Sequence, residues 1–126
     1  MTTRSVMVVE DVPELSHLLS LTLELDDRFT PVASAVSGRE AVEMAHLHLP
    51  DSIVLDVSID GLDDGIDILP QLREVVPEAR IIIFTAHGNR TQQERALEAG
   101  ASDYIVKGGD LEPLLDSLAG QDALPG

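Results

Sequence analysis

Ile53-Val54-Leu55-Asp56 decides the reading of this chain. Three strongly apolar residues run without interruption into a carboxylate, and a Gly/Asp-rich stretch from Val57 to Gly65 follows. A short continuous apolar run suits a strand buried on both faces, as in a parallel sheet. A strand that ends on an acid places a charged side chain where the sheet meets its loops. The same pattern recurs on either side. Val6 to Val9 is a second such run and ends on Glu10-Asp11; Ile81-Ile82-Ile83-Phe84 ends on Thr85; Tyr104-Ile105-Val106 ends on Lys107. Phe29 to Ala35 reads as a further strand, and Pro31 within it points to a sheet edge, because proline cannot donate to a ladder.

Helical patterns separate these runs. Pro13 is a favoured first-turn residue, and Leu15, Leu18, Leu19 and Leu23 follow at helical spacing. Ser37 and Glu40 form a capping box that opens a helix turning Ala41, Val42, Ala45 and Leu49 inward. Ile66, Leu69, Leu72 and Val76 mark a third helix, with Pro70 near its start where it costs little. Asn89 to Ala99 reads as a helix with a thin apolar face, chiefly Ala96 and Leu97, capped by Gly100. Leu111, Leu114, Leu115 and Leu118 predict a short last helix. Strands alternating with helices imply a three-layer α/β domain around a five-stranded parallel sheet, with helices on both faces.

Bulk properties narrow the function. The 126 residues fit one compact domain, and the 44% apolar content supports a core that must be aliphatic, given one Tyr, two Phe and no Trp. A net charge of −15 argues against nucleic acid and against an anionic membrane surface. Without cysteine there is no disulfide and no thiolate metal site. No apolar run approaches a membrane span and no signal-peptide pattern opens the chain, so a cytoplasmic protein is expected.

In a parallel α/β sheet, ligands bind beyond the carboxyl ends of the strands. There the sequence places Glu10, Asp11, Asp56, Thr85 and Lys107 on one rim. Three close carboxylates repel one another, which a divalent cation relieves, and hard oxygen ligands suit Mg²⁺. A carboxylate such as Asp56 can attack phosphorus and form an acyl phosphate. Lys107 is the only lysine in the chain and offers a compact positive charge to phosphoryl oxygens. Thr85 offers a hydroxyl. Taken singly, an acidic pair among 23 acids or a strand threonine is unremarkable; their common placement carries the reading. His46 and His48 lie two apart on a helix, point to different faces and are read as surface polarity, and His17 has no visible partner.

The motifs Val8-Val9-Glu10-Asp11, Val54-Leu55-Asp56, Phe84-Thr85-Ala86 and Asp103-Tyr104-Ile105-Val106-Lys107 resemble, in order and separation, the receiver domain of two-component response regulators. The resemblance implies a flavodoxin-like sheet of strand order 2-1-3-4-5, a receiver over residues 4–119, and a tail or trimmed linker over 120–126. It implies Asp56 as phospho-acceptor, Glu10 and Asp11 as the Mg²⁺-binding acids with the Ser58 backbone carbonyl as a further ligand, and Thr85 and Lys107 as phosphate-binding groups. Thr85 and Tyr104 take the switch positions; Ser58 and His87 take positions that tune dephosphorylation. The implied partners are a sensor histidine kinase or phosphotransfer protein and a downstream effector or fused output domain. No enzymatic activity is implied beyond the domain's own phosphorylation and dephosphorylation.

Three features depart from the family. Gly108 follows Lys107 where a proline joined by a cis peptide is usual, and a non-proline cis bond costs roughly 3 kcal/mol, which favours a trans peptide. The loop after Asp56 lacks the usual proline, is about one residue longer, and carries Asp60, Asp63 and Asp64, with Asp67 beyond it. The last helix is short. Two other readings remain open at this stage: a receiver-like interaction module independent of phosphate, and a small Mg²⁺-dependent phosphatase with an aspartyl nucleophile. The phosphatase reading lacks the second acid usual two residues after the nucleophile, where Ser58 stands.

Overall fold

The computed structural model describes residues 3–57 and 65–120. Five strands, β1 (Arg4–Val9), β2 (Phe29–Ala35), β3 (Ser52–Leu55), β4 (Arg80–Thr85) and β5 (Asp103–Val106), alternate with α1 (Pro13–Glu24), α2 (Gly38–His48), α3 (Leu69–Val75), α4 (Arg90–Glu98) and α5 (Glu112–Leu118). All strand pairings are parallel, in the order β2-β1-β3-β4-β5. The expected fold class and strand order are borne out.

The apolar runs are continuous because both faces of the sheet are covered. Met7, Val9, Ile53, Leu55, Ile81 and Ile83 pack under Ala41, Ala45, Leu69, Leu72 and Ala96 on one side. Val6, Val8, Val54, Ile82 and Phe84 pack with Leu19, Leu23, Leu114, Leu115 and Leu118 on the other. Pro31 does lie on an edge strand. The β1–β2 register slips beside it: Val6 pairs with Pro31, but Met7 pairs with Ala33.

Local chemistry sets the helix ends. Pro13 occupies the first turn of α1. Ser37 Oγ accepts from Glu40 N at 3.1 Å, while the Glu40 carboxylate accepts from Val36 N at 3.0 Å, one residue earlier than a strict capping box. The third helical segment begins as a 3-10 turn, Ile66–Ile68, and becomes α-helical at Leu69, with Pro70 in its first turn.

Three leucines correct the inward assignment. Leu49 is 62% exposed, because it ends α2 in the left-handed conformation (φ 45°) and turns away from the core. Leu18 and Leu97 are exposed, each on the outer side of its helix while Leu19 and Ala96 take the buried one.

One core position invites improvement. Ser52 opens β3 fully buried, and its Oγ has no hydrogen-bond partner among the described residues. A desolvated, unsatisfied hydroxyl costs roughly 1–3 kcal/mol. Ser52→Ala is expected to raise stability by about 1 kcal/mol in chemical denaturation; a loss would mean that the hydroxyl is satisfied in solution.

Candidate functional site

The sheet ladder builds the site directly. Asp56 N donates to Val9 O at 3.0 Å, Glu10 N to Ala35 O at 3.0 Å, and Lys107 N to Thr85 O at 2.7 Å. Each residue beyond a strand end is thereby held in register with its neighbour. Glu10 (1% exposed), Asp56 (6%) and Thr85 (2%) are buried at this rim, and Asp11 is half-buried beside them. Carboxylate oxygens of Glu10, Asp11 and Asp56 lie within 4.8 Å of one another.

Lys107 Nζ donates to Glu10 Oε1 at 3.0 Å and stands 3.5 Å from Asp56 Oδ2. Its ammonium also lies 5.6 Å from the centre of the Phe84 ring. The other Glu10 oxygen accepts from Val12 N at 3.2 Å. Burial above all, then the hydrogen bond and charge of Asp56, push the Glu10 carboxyl up from 4.5 to about 7, against the opposing pull of Lys107. One ammonium therefore does not neutralise this cluster. The donor set is all hard oxygen, convergent and charge-frustrated, which fits a small divalent cation such as Mg²⁺.

The sequence placed Glu10 and Asp11 on equal terms, and the structure separates them: Glu10 is buried and bonded to Lys107, Asp11 is more open. His87 is exposed just beyond β4. Ser58, with Asp60, Asp63 and Asp64, lies outside the described residues. No cis peptide occurs among the described residues, so the Lys107–Gly108 bond is trans. Tyr104 is half-buried; its hydroxyl accepts from Asn89 N at 3.2 Å and donates to Gln92.

Gly65 was not singled out by its sequence context beyond closing the loop. A Cβ there would lie 2.5 Å from the Asp56 carbonyl oxygen and 2.6 Å from Val57 Cα. Both are backbone atoms that cannot swing aside. Gly65 N also donates to Val57 O at 2.9 Å, which holds the returning chain against the strand end. Gly65→Ala is expected to cost about 3 kcal/mol, as overpacking against fixed atoms does, and to shift the Asp56 backbone resonances in NMR spectra. Retained stability with unmoved resonances would show that the loop yields instead. A surface groove lies at the opposite end of the sheet, near Leu49, Pro50 and Pro77, away from the acidic rim.

A five-stranded parallel α/β domain whose rim gathers three carboxylates and one ammonium belongs to the class of small doubly wound domains, a fold that places ligand sites beyond the carboxyl ends of its strands. Residues 6–119 match the family model described as response regulator receiver domain, and the chain belongs to that family. It is 34% identical over 113 residues to a nitrate/nitrite response regulator protein homolog of Haemophilus influenzae, covering 90% of this chain and 54% of that protein. It is 30% identical to the chemotaxis protein CheY of Bacillus subtilis, covering 90% of this chain and 92% of that one. The crystal structure of a LuxR-family two-component response regulator from Aurantimonas superposes with a TM-score of 0.85 at 31% identity, covering 98% of this chain and 90% of that one. The chain spans about half the length of several curated relatives that it matches, the nitrate/nitrite regulators among them. No helix among the described residues is long and apolar enough to cross a membrane.

Proposed function

We propose that the chain is a cytoplasmic phospho-acceptor: the Asp56 carboxylate takes a phosphoryl group from a histidine kinase or phosphotransfer protein. The observation that carries this reading is the convergence of Glu10, Asp11 and Asp56 within 4.8 Å, with Lys107 Nζ 3.5 Å from Asp56. An Asp56 oxygen forms the new P–O bond as the donor's bond to phosphorus breaks, and the donor keeps the electron pair. Glu10, Asp11, Asp56 and the Ser58 carbonyl would hold Mg²⁺, which offsets charge on the transferring group. Lys107 is already within reach of Asp56, so it can turn from Glu10 to a phosphoryl oxygen with little movement. Thr85, buried on the same rim, offers a hydroxyl to another oxygen, and Tyr104 follows it as the switch. Ser58 and His87 would set the rate at which water removes the phosphoryl group. The output is a changed surface for an effector protein or a fused output domain, with no direct contact to nucleic acid or membrane and no turnover of an external substrate.

Incubation with acetyl phosphate and Mg²⁺ is expected to raise the intact mass by one phosphoryl group, with chelation of the metal preventing it. No adduct with any donor would favour an interaction module that works without phosphate. Sustained hydrolysis of a generic phosphate ester would favour a phosphatase instead.

A further inference from the structure

Lys107 is the only lysine of the chain, and its Nζ stands 3.5 Å from Asp56 Oδ2. A lysine ammonium rides on a flexible four-carbon stem, so it keeps its place only where something holds it. The backbone holds it from one side, since Lys107 N donates to Thr85 O at 2.7 Å. Beyond Lys107 the chain adds no such hold. Gly108 and Gly109 are both exposed. Among the described residues, a Cβ on Gly108 would meet only the Val106 carbonyl oxygen, at 4.0 Å, and one on Gly109 would meet nothing within 4 Å. A glycine therefore stands in open space where the family usually has a proline, and a second follows it. Glu10 Oε1 accepts from the ammonium at 3.0 Å, but that carboxylate also belongs to the acid cluster that fits a divalent cation. A carboxylate given over to a metal is a poorer anchor for a lysine.

Phe84 supplies the remaining hold. It is one of only three aromatic residues in the chain, and it lies at the rim end of β4, 3% exposed. It faces Ile105 across the β4–β5 ladder. Side chains two apart on a strand share a face, so Lys107 follows Ile105 on the face that Phe84 occupies. The ammonium lies over the ring, 5.6 Å from its centre, within the range at which a cation is drawn to an aromatic face. The Lys107 side chain is only 19% exposed, and loss of water strengthens that attraction. The ring is itself fixed, as part of the close-packed cluster that contains Ile82, Leu114 and Leu115.

We propose that Phe84 is a positioning residue for Lys107: its ring face keeps the ammonium beside Asp56 when Glu10 is given over to the metal, in place of the backbone brace that Gly108 and Gly109 do not provide. Phe84 acts through Lys107 alone. The placement belongs to the resting domain; only its benefit to phosphoryl transfer rests on the proposed function.

Because the chain has one lysine, NMR of the whole chain labelled at lysine gives one ε-methylene signal. Without Mg²⁺ or phosphodonor, that signal is expected upfield of free lysine, as protons above an aromatic face are. Glu10→Gln should leave it there, and Phe84→Leu should return it to the free-lysine position. The rate of adduct formation with acetyl phosphate and Mg²⁺ should fall about fivefold in Phe84→Leu, the factor for one cation–ring contact. Phe84→Tyr, which keeps the ring, should keep both the shift and the rate. Ile82→Ala opens a cavity in the same cluster; it should lower stability and leave both readouts in place. The proposal is overturned if the wild-type signal sits at the free-lysine position, if Phe84→Leu moves neither signal nor rate, or if Ile82→Ala slows the reaction as much as Phe84→Leu. A wild-type chain that forms no adduct would sink the phospho-acceptor reading instead, and the lysine signals of Phe84→Leu and Glu10→Gln would still decide the placement.

Discussion

Asp56→Asn is expected to remove the phosphoryl adduct altogether and to make the unphosphorylated domain more stable at neutral pH. The first effect follows from chemistry: an amide nitrogen or oxygen cannot replace a carboxylate as the attacking group. The second follows from the geometry of the rim. Glu10, Asp11 and Asp56 crowd their oxygens within 4.8 Å, with Lys107 as the cation bonded to the cluster. Removing one negative charge leaves Lys107 facing two carboxylates instead of three. Burial is the largest cause of the raised Glu10 value, and Asp56 supplies the next, by hydrogen bond and by charge. The substitution keeps the burial and deletes the charge, so Glu10 should titrate below 7 but still above 4.5. Intact mass measures the first effect, thermal denaturation the second, and carboxyl NMR titration the third. An adduct that persists in the variant would move the acceptor to another side chain. A Glu10 titration that does not move would mean that burial alone sets it.

How much of this was legible beforehand depends on the physical origin of each feature. The strands were readable because a parallel sheet covered on both faces must be apolar at every position: Ile53-Val54-Leu55 and Ile81-Ile82-Ile83 can be little else. The rim residues were readable because polarity begins abruptly where that burial ends. Pro31 was readable as an edge because its missing N–H has no place inside a sheet. Helix faces were less legible. Leu18, Leu49 and Leu97 have the composition of core residues and are exposed, since a helix records only spacing and the neighbour that covers it is chosen by the whole fold. Leu49 illustrates this: its left-handed backbone takes it off the face that spacing assigned to it.

Polar ties between distant segments left no local signature at all. Arg73 joins α3 to residues 27 and 29 further along the chain, and Ser117 Oγ donates to Asp103 Oδ2 at 2.6 Å while its carbonyl accepts from Arg80. Nothing near Arg73, Ser117 or Gln92 in sequence marks them off from ordinary surface polarity, because their partners are supplied by strands that approach only on folding. The unequal roles of Glu10 and Asp11 belong to the same category. Adjacent acids look alike until folding brings Lys107 against one and leaves the other more open.

That inequality has a thermodynamic signature that is opposite to the usual carboxylate case. Unfolded Glu10 ionises near 4.5 and folded Glu10 near 7. Below 4.5 both states hold the proton, and above 7 both have released it. Between those limits the folded state holds a proton that the unfolded chain has lost, so protonation favours folding. The contribution of Glu10 is therefore fully present below 4.5 and is lost as the pH rises to 7, about 3 kcal/mol in all. Asp26 behaves in the opposite sense: its hydrogen bond with Arg28 lowers its value below 3.8, so its contribution disappears only in stronger acid and does not overlap this window. Denaturation midpoints measured without divalent cations should accordingly fall between pH 5 and 7.5, and Glu10→Gln should flatten that decline. Mg²⁺ reverses the trend, because only the ionised carboxylate binds it. Its affinity should rise by about tenfold per pH unit below 7 and level off above, one proton being released per ion bound. Stabilisation by saturating Mg²⁺ should therefore be greater at pH 7.5 than at pH 5.5. An affinity that stays flat across that range would mean that Glu10 is already ionised when the cation arrives, and that Lys107 compensates its charge far better than its single 3.0 Å contact indicates.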